Sequence, residues 1–437
     1  METINIGILG FGVVGAGAAK LLKEKKELLE ARIGALLNLK TIADIDTTTD
    51  RGVELGDTAL VSEAMAVIND PEIDIVVELI GGETIAKDFM LKALENKKHV
   101  VTANKALLAG HGNELVKTAR TNQVDLAFEA SCGGCMPIIK SLRESLVAND
   151  INSMSAILNG TCNYILTKIS QDGSEFADVL KKAQELGFAE AEPSLDVDGH
   201  DTAHKLAILN SLAHGMEINL DDIYVEGIRN ITPADISFAR EFGYTIKLLA
   251  IGKKHDGHVE ARVHPTMIPK SNPLSYVDHS MNAIAIEADA TGRTMLYGHG
   301  AGMMPTASAV LSDIADIARN IIVGTKRRVP ILGYPEDNIK EIPILPMAEL
   351  DTRYYLRFEA QDHPGVLAKI SGILGDNKIS IKSVHQKGRK ANGRVPVVMI
   401  THLAKERWVQ AALAKIAETD SVVGTPTVIR IEDDEIE

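Results

Sequence analysis

The stretch from Glu190 to Lys205 gathers Glu190, Glu192, Asp196, Asp198, Asp201 and Lys205 where a helix is expected to begin. A first turn starting near Gly199 puts Asp201 and Lys205 at i and i+4 on one helix face. A carboxylate held against an ammonium can orient a hydroxyl and move its proton, which is acid–base chemistry on an alcohol or a carbonyl. Taken alone, the pair is also what a solvated helix surface looks like, worth roughly a few tenths of a kcal/mol. The same turn carries His200 and His204 at i and i+4, a spacing similar to that of a zinc-hydrolase helix. The acid between them is aspartate and no third ligand is evident, so metal hydrolysis is not the expected chemistry.

The N-terminus supplies the setting. Ile4 to Leu9 is an apolar strand run, followed by Gly10-Phe11-Gly12-Val13-Val14-Gly15 and then by a helical segment, Ala18 to Arg32. This is GxGxxG between a strand and a helix, the arrangement that binds a dinucleotide. Gly10 allows the tight turn, Gly12 lets backbone amides approach a pyrophosphate, and Gly15 permits close helix packing. A second strand, Leu39 to Ala43, ends at Asp44. A carboxylate there takes the ribose hydroxyls of NAD and repels a 2′-phosphate, so NAD is expected to be preferred over NADP. Asp46 competes for that role. The spacing from Gly15 exceeds the usual ~20 residues, which calls for a long first crossover helix. Ile73 to Ile80 reads as a strand buried on both faces and closes in Gly81-Gly82. After a helix, Lys87 to Asn96, the strand His99 to Thr102 delivers Ala103-Asn104-Lys105 to its C-terminal end, where open α/β sheets place ligands.

At 437 residues, two or three domains are expected. A net charge of −14 without basic runs argues against nucleic-acid or anionic-membrane partners and leaves small molecules. With neither a signal-peptide pattern nor a membrane-length apolar run, the expected location is the cytoplasm. The three cysteines, Cys132, Cys135 and Cys162, are too few for a disulfide framework. Cys132-Gly133-Gly134-Cys135 is a CxxC without a partner motif, read as two small residues in a tight loop, with a redox pair as the sharper alternative.

After Ile331 the chain is punctuated by Gly333, Pro335, Pro343 and Pro346, which predicts a connector and a boundary near residue 350, with a separable module beyond it. That module reads strand (Tyr354 to Glu359), helix (Gly365 to Asp376), strands (Ile379 to His385 and Val395 to His402), helix (Lys405 to Glu418) and strand (Thr427 to Ile431). The order βαββαβ is the ferredoxin-like split unit. The final run, Glu432 to Glu437, reads as a solvated tail.

Five ordered segments resemble homoserine dehydrogenase: Val100 to Leu108, Phe128 to Ser131, Ile157 to Leu166, Glu190 to Lys205, and Gly298 to Gly302 with Pro305-Thr306-Ala307. The resemblance implies reversible NAD(P)-dependent interconversion of L-homoserine and L-aspartate 4-semialdehyde, a step toward threonine, methionine and isoleucine. It implies Lys205 as proton donor, with Lys105 and Asp201 beside it at the reacting oxygen. Glu190 would hold the substrate amino group, Asp196 would support the site, and the Asn159-Gly160-Thr161 turn would meet the substrate carboxylate. Gly302 and Lys105 join the cofactor contacts. A family loop for a monovalent cation, Na+ or K+, formed mainly by backbone carbonyls, falls on Glu129, Cys132, Gly134 and Met136. Here the chain departs from the family, and Cys135 in place of glycine threatens a backbone conformation that favours glycine.

Gln361 to Leu367 resembles the ligand loop of an ACT domain. There Asp362 would face an amino group and the amides of Gly365, Val366 and Leu367 a carboxylate, with L-threonine as the implied effector. The implied fold is α/β: a Rossmann domain over 1–130 completed by 305–345, an α+β substrate and dimerisation domain over 131–304, and a ferredoxin-like ACT domain over 350–437. A homodimer or homotetramer is the expected assembly. The competing class is a non-catalytic amino-acid sensor on an enzyme scaffold, disfavoured because Lys105, Glu190, Asp201 and Lys205 are all present.

Overall fold

In the computed structural model, which describes residues 1–386 and 394–433, the apolar N-terminal run becomes β1 (Thr3–Leu9) at the centre of a parallel sheet. Ile4, Ile6, Ile8 and Leu9 are all buried, as a strand covered on both faces requires. Following it come α1 (Val13–Glu24), α2 (Lys26–Ile33), β2 (Leu36–Ala43), β3 (Ala59–Val61), α3 (Ala64–Ile68), β4 (Ile75–Glu78), α4 (Thr84–Glu95), β5 (His99–Thr102), α5 (Lys105–Thr121) and β6 (Leu126–Ala127). The sheet order is β3-β2-β1-β4-β5-β6, the doubly wound Rossmann order. Its direction reverses between β1 and β4, so a ligand crevice opens at their C-terminal ends.

The expected long crossover helix is two helices, parted at Lys25, where φ is −108° and ψ is 16°. Helix α1 also starts five residues before the segment the sequence marked. Its first turns are rich in glycine and valine, poor helix formers, but packing overrides propensity. A Cβ on Gly15 would stand 2.0 Å from the Gly10 carbonyl oxygen, so the helix can approach the strand this closely only with glycine.

The middle of the chain contributes α6 (Ile138–Lys140), β7 (Ile151–Ile157), α7 (Gly160–Asp172), α8 (Phe176–Glu185), α9 (Ser194–Val197), α10 (His200–His214), β8 (Tyr224–Val225), α11 (Pro233–Glu241), β9 (Tyr244–His255), β10 (His258–Pro269), β11 (Met281–Ala288), β12 (Gly292–His299) and α12 (Met303–Ile322). Helix α12 returns to the dinucleotide layer, where Ala307, Val310 and Ile314 share a core with Ala18, Ala19 and Leu22 of α1. The last part is β13 (Asp351–Gln361), α13 (Val366–Asp376), β14 (Ile381–Gln386), β15 (Arg394–Thr401), β16 (Ala404–Lys405), α14 (Glu406–Ala417) and β17 (Thr427–Ile431), the βαββαβ order plus the short β16.

Three expectations are corrected here. The C-terminal unit is not tethered loosely: β17 pairs parallel with β10 at Thr266↔Arg430 and Met267↔Ile431, making one 11-stranded sheet. Its main path runs β12-β11-β7-β9-β10-β17-β13-β15-β14, with β8 on β10 and β16 on β13. Nor does the connector hang free, since Ile331, Leu332, Ile344 and Leu350 are buried and Ile344 bridges to Val259. Finally, the acidic end is not a solvated tail as far as it is described. Glu432 accepts from Arg262 Nη2 at 2.7 Å and from Lys253, while Asp433 accepts from Arg353 Nη1 and Tyr244 Oη, each at 2.9 Å. These acids neutralise cations buried in the seam, which water cannot do there. Residues 434–437 lie outside the described residues.

Further pairs cross the seam. Asp235, fully buried in the first turn of α11, accepts from Arg357 Nε at 2.6 Å and Tyr355 Oη at 3.0 Å. Arg430 donates across the seam to Glu226 and, within its own unit, to Glu406 at 2.6 and 3.0 Å.

Candidate active site

At the crevice, a Cβ on Gly12 would meet nothing within 4 Å, so backbone amides stand open there, and Gly12 precedes α1 with no side-chain cap bond. An uncapped helix N-terminus behind an open glycine loop fits a pyrophosphate. Asp44 closes one side: its Oδ2 accepts from the Phe11 amide at 2.5 Å and its Oδ1 from the Asp46 amide at 2.8 Å. Across the crevice, Gly302 caps α12 with φ +122°.

The loops after β4 and β5 are tied by a carboxylate that the sequence reading passed over. Glu78, fully buried, accepts from the Ile80 and Gly81 amides and from Thr102 Oγ1, the last at 2.6 Å. Thr102 Oγ1 in turn accepts from the Asn104 amide, and Asn104 caps α5 through the Leu107 amide while donating to the Gly82 carbonyl. Lys105, first residue of α5, is thereby fixed at the rim. The signal was an acid ending an otherwise apolar strand run, where nothing but a loop to brace explains it.

Helix α10 is buried almost all round because it runs under the sheet and against α5. Its first turn places Asp201 and Lys205 as the spacing required: Lys205 Nζ donates to Asp201 Oδ2 at 2.7 Å and to the Leu158 carbonyl at 2.7 Å. Lys105 Nζ lies 3.0 Å from the other oxygen, Asp201 Oδ1. One buried carboxylate thus bridges two ammonium groups. Lys205 is 9% exposed and Lys105 35%, so Lys105 faces the cleft. Burial alone would raise the Asp201 carboxyl, but Lys205 and Lys105 overcome it and hold it well below the usual carboxylate range. Asp201 in turn raises the Lys105 ammonium. Two ammonium groups held side by side at the cleft are suited to an oxygen that gains negative charge.

Asn159 caps α7 through the Cys162 amide and donates to Asp196 Oδ1 at 2.7 Å and Asp201 Oδ2 at 2.9 Å. Its amide is therefore spent on orienting the two acids rather than left for a substrate carboxylate. Burial raises the Asp196 carboxyl. Thr161 Oγ1 donates to the Phe188 carbonyl at 2.6 Å. Gly160 is a close-approach position, since a Cβ there would stand 2.8 Å from the Ser280 carbonyl oxygen. Glu190 is not brought into the cluster. It is exposed on the loop after α8, where its backbone carbonyl accepts from Gln184 Nε2.

In the 129–136 loop, Glu129 accepts from the Ile139 and Lys140 amides, and burial beside Asp313 pushes its carboxyl up to about 7. Gly133 and Gly134 have positive φ but Cys135 does not, so cysteine there imposes no backbone strain. The Met136 carbonyl accepts from the Ile138 amide. Cys132 is buried, with its thiol pushed up to about 12 by burial, while Cys135 is exposed. A protonated, buried thiol is a poor partner for disulfide exchange. Diamide treatment is therefore expected to leave activity unchanged and Cys135→Gly to be nearly silent. Activity lost with two thiols and restored by dithiothreitol would overturn this. Among the described residues no group of three or more His, Cys, Asp or Glu is placed to hold a metal ion, and His200 and His204 form no such site. In the ACT-like unit, Gly365 caps α13 with φ +95° and no side-chain cap bond; the Val366 amide donates to the His363 carbonyl at 3.4 Å, and Asp362 stands on the loop before the helix.

A Rossmann crevice leading to a carboxylate bridged by two ammonium groups defines a nicotinamide-dependent oxidoreductase acting on an alcohol or a carbonyl. Comparison with known proteins makes the assignment specific. The family profiles described as homoserine dehydrogenase, NAD binding domain, as homoserine dehydrogenase, and as ACT domain match residues 10–129, 137–315 and 354–419. The chain is 44% identical over 432 residues to a homoserine dehydrogenase of Neisseria gonorrhoeae, covering 99% of each. It superposes on a homoserine dehydrogenase from Thiobacillus denitrificans with a TM-score of 0.94 and 43% identity, covering 99% of each chain. A hyperthermophilic archaeal homoserine dehydrogenase in complex with NADPH matches with a TM-score of 0.61 and 29% identity over 72% of this chain and 98% of that one. The chain belongs to the homoserine dehydrogenase family and ends in an ACT domain. No helix among the described residues is long and apolar enough to cross a membrane.

Proposed function

We propose that this chain interconverts L-homoserine and L-aspartate 4-semialdehyde at the Asp201-bridged lysine pair, as a step toward threonine, methionine and isoleucine. The bridging of Lys105 and Lys205 by one buried carboxylate carries the reading. When bound, the nicotinamide supplies or accepts the hydride. As the aldehyde carbon is reduced, its oxygen gains negative charge, and Lys205 gives it a proton. Two of the three Lys205 N–H groups are committed, to Asp201 and Leu158, which leaves one for that oxygen. Lys105, the more exposed, stabilises the same oxygen and exchanges protons with solvent. In the reverse direction Lys205 takes the hydroxyl proton.

Glu190 serves the substrate ammonium from its exposed loop, which the Thr161 to Phe188 bond ties to the catalytic turn. Glu190→Gln is then expected to raise KM for homoserine about tenfold with kcat little changed, and an unaltered KM would remove Glu190 from substrate binding. Asp44 favours NAD, with NADP also used, as the archaeal relative's NADPH complex supports. A Na+ or K+ ion is assigned to the loop of Glu129, Cys132, Gly134 and Met136, where Gly133 and Gly134 turn the backbone sharply at positive φ. L-Threonine is assigned to Asp362 and the amides of Gly365, Val366 and Leu367, at the start of α13, which has no side-chain cap bond. Self-association into two or four copies is supported by the open edge strand β12.

The reading is tested by adding homoserine and NAD or NADP to the protein and following reduced nicotinamide. Formation that needs homoserine and fails with serine or threonine in its place supports it. No formation with either cofactor would leave the sensor class standing.

A further inference from the structure

At the end of β2, where the adenosine ribose of a dinucleotide would rest, two acids and one arginine meet. Neither acid is idle. Asp44 is held by the Phe11 and Asp46 amides, so it anchors the glycine loop itself. Asp46 accepts from the Thr48 and Thr49 amides and the Thr48 hydroxyl, which fold the following turn. Arg51 closes the group: its Nη1 donates to the Thr49 carbonyl at 2.8 Å, and its Nη2 lies 3.2 Å from Asp46 Oδ2 and 3.7 Å from Asp44 Oδ1. Its Cζ sits 5.2 Å from the centroid of Phe11, the second residue of the glycine-rich loop.

We propose that Arg51 is the residue that admits a 2′-phosphate to this site, so that the chain accepts NADP despite the acid at the end of β2. This rests on the cofactor reading above. Asp44 alone would repel a 2′-phosphate, and both of its oxygens already serve backbone amides. Arg51 is poised beside it with a planar fork, neutralised by carboxylates while no phosphate is present and kept over the aromatic ring of the loop. A phosphate presents stronger acceptors than the two part-exposed carboxylates, and it can take the fork in a bidentate pair. Phe11 fixes where that fork lies, so the charge is aimed at the ribose edge rather than spread over the surface. A corollary concerns Asp44→Arg, the obvious route to an NADP-preferring variant. It breaks the anchor of the glycine loop and is expected to weaken both cofactors, so the informative substitutions are at Arg51.

The test uses the full chain and calorimetric binding of two fragments, 2′,5′-ADP and 5′-AMP, to the wild type, Arg51→Gln and Arg51→Lys. Kinetics with NADP and NAD run in parallel. Loss of a charge-assisted bidentate pair predicts that Arg51→Gln weakens 2′,5′-ADP about tenfold to a hundredfold beyond any change for 5′-AMP. The ratio of kcat/KM for NADP over NAD falls by a similar factor. Arg51→Lys, which keeps the charge but not the fork, recovers part of the loss. Equal weakening of both fragments would make Arg51 a general support of the loop and overturn the proposal. An unchanged 2′,5′-ADP affinity would overturn it too. If the wild type binds neither fragment, the dinucleotide reading of this crevice fails, and the role of Arg51 falls with it.

Discussion

Lys205→Ala and Asp201→Ala are each expected to lower kcat by about a hundredfold or more while dinucleotide affinity changes little. The two losses differ in kind. Removing Lys205 takes away the proposed proton donor and leaves the Leu158 carbonyl without its partner. Removing Asp201 leaves two ammonium groups without the carboxylate that holds them, so Lys105 and Lys205 repel and neither stays aimed. Asp201→Asn keeps the shape but not the charge and is expected to fall nearly as far, because neutral amide dipoles cannot balance two cations. Steady-state kinetics alongside direct titration of the cofactor separates the roles. Wild-type kcat in either alanine variant, or a loss confined to cofactor binding, would move the chemistry elsewhere.

Ending the chain after Glu349 is expected to lower the melting temperature by ~10 °C or more and to cause aggregation, rather than to release a free-standing catalytic core. The cut removes β17, leaving β10 with an open edge at Thr266 and Met267. It also strips Asp235 of Tyr355 and Arg357, and Arg262 of Glu432. With these partners the cut removes Tyr355, Ile429 and Ile431 from the core they share with Ile246 and Met267, and opens that apolar surface to water. A single substitution, Arg357→Ala, is expected to show part of the effect, about 3 kcal/mol by denaturant unfolding. The seam also carries a pH signature. Burial alone would raise the Glu432 carboxyl, but Arg262 and Lys253 hold it at about 2. Its folded value being lowered, Glu432 contributes fully above the ordinary carboxylate range and loses that contribution as pH falls toward 2. A soluble truncated chain with the wild-type melting temperature would show that the seam adds nothing.

What could be read beforehand was local. The glycine loop after β1, the Asp201 and Lys205 spacing and the βαββαβ order all depend on residues close together in the chain, where periodicity and turn chemistry act. What escaped depends on contacts across long separations. Glu432 and Asp433 look like any acidic end until Arg262, Lys253, Arg353 and Tyr244 are known to surround them. Pro343 and Pro346 suggested a tether, yet the segment they punctuate lies along Val259 because Ile344 has a core to enter. Glu78 was hidden inside an apolar run, and Arg51 inside a polar turn, each made meaningful only by what the sheet brings beside it. The Asn159 turn makes the same point: nothing in the sequence shows that its amide donates to Asp196 and Asp201, which come from another segment.

The most direct test of the central claim is the crystal structure of this chain with homoserine and the oxidised cofactor bound. The account predicts the substrate hydroxyl oxygen within hydrogen-bond distance, ~3 Å, of both Lys205 Nζ and Lys105 Nζ, with Asp201 still bridging the two. A hydroxyl bound away from both ammonium groups, with the pair intact and idle, would contradict it.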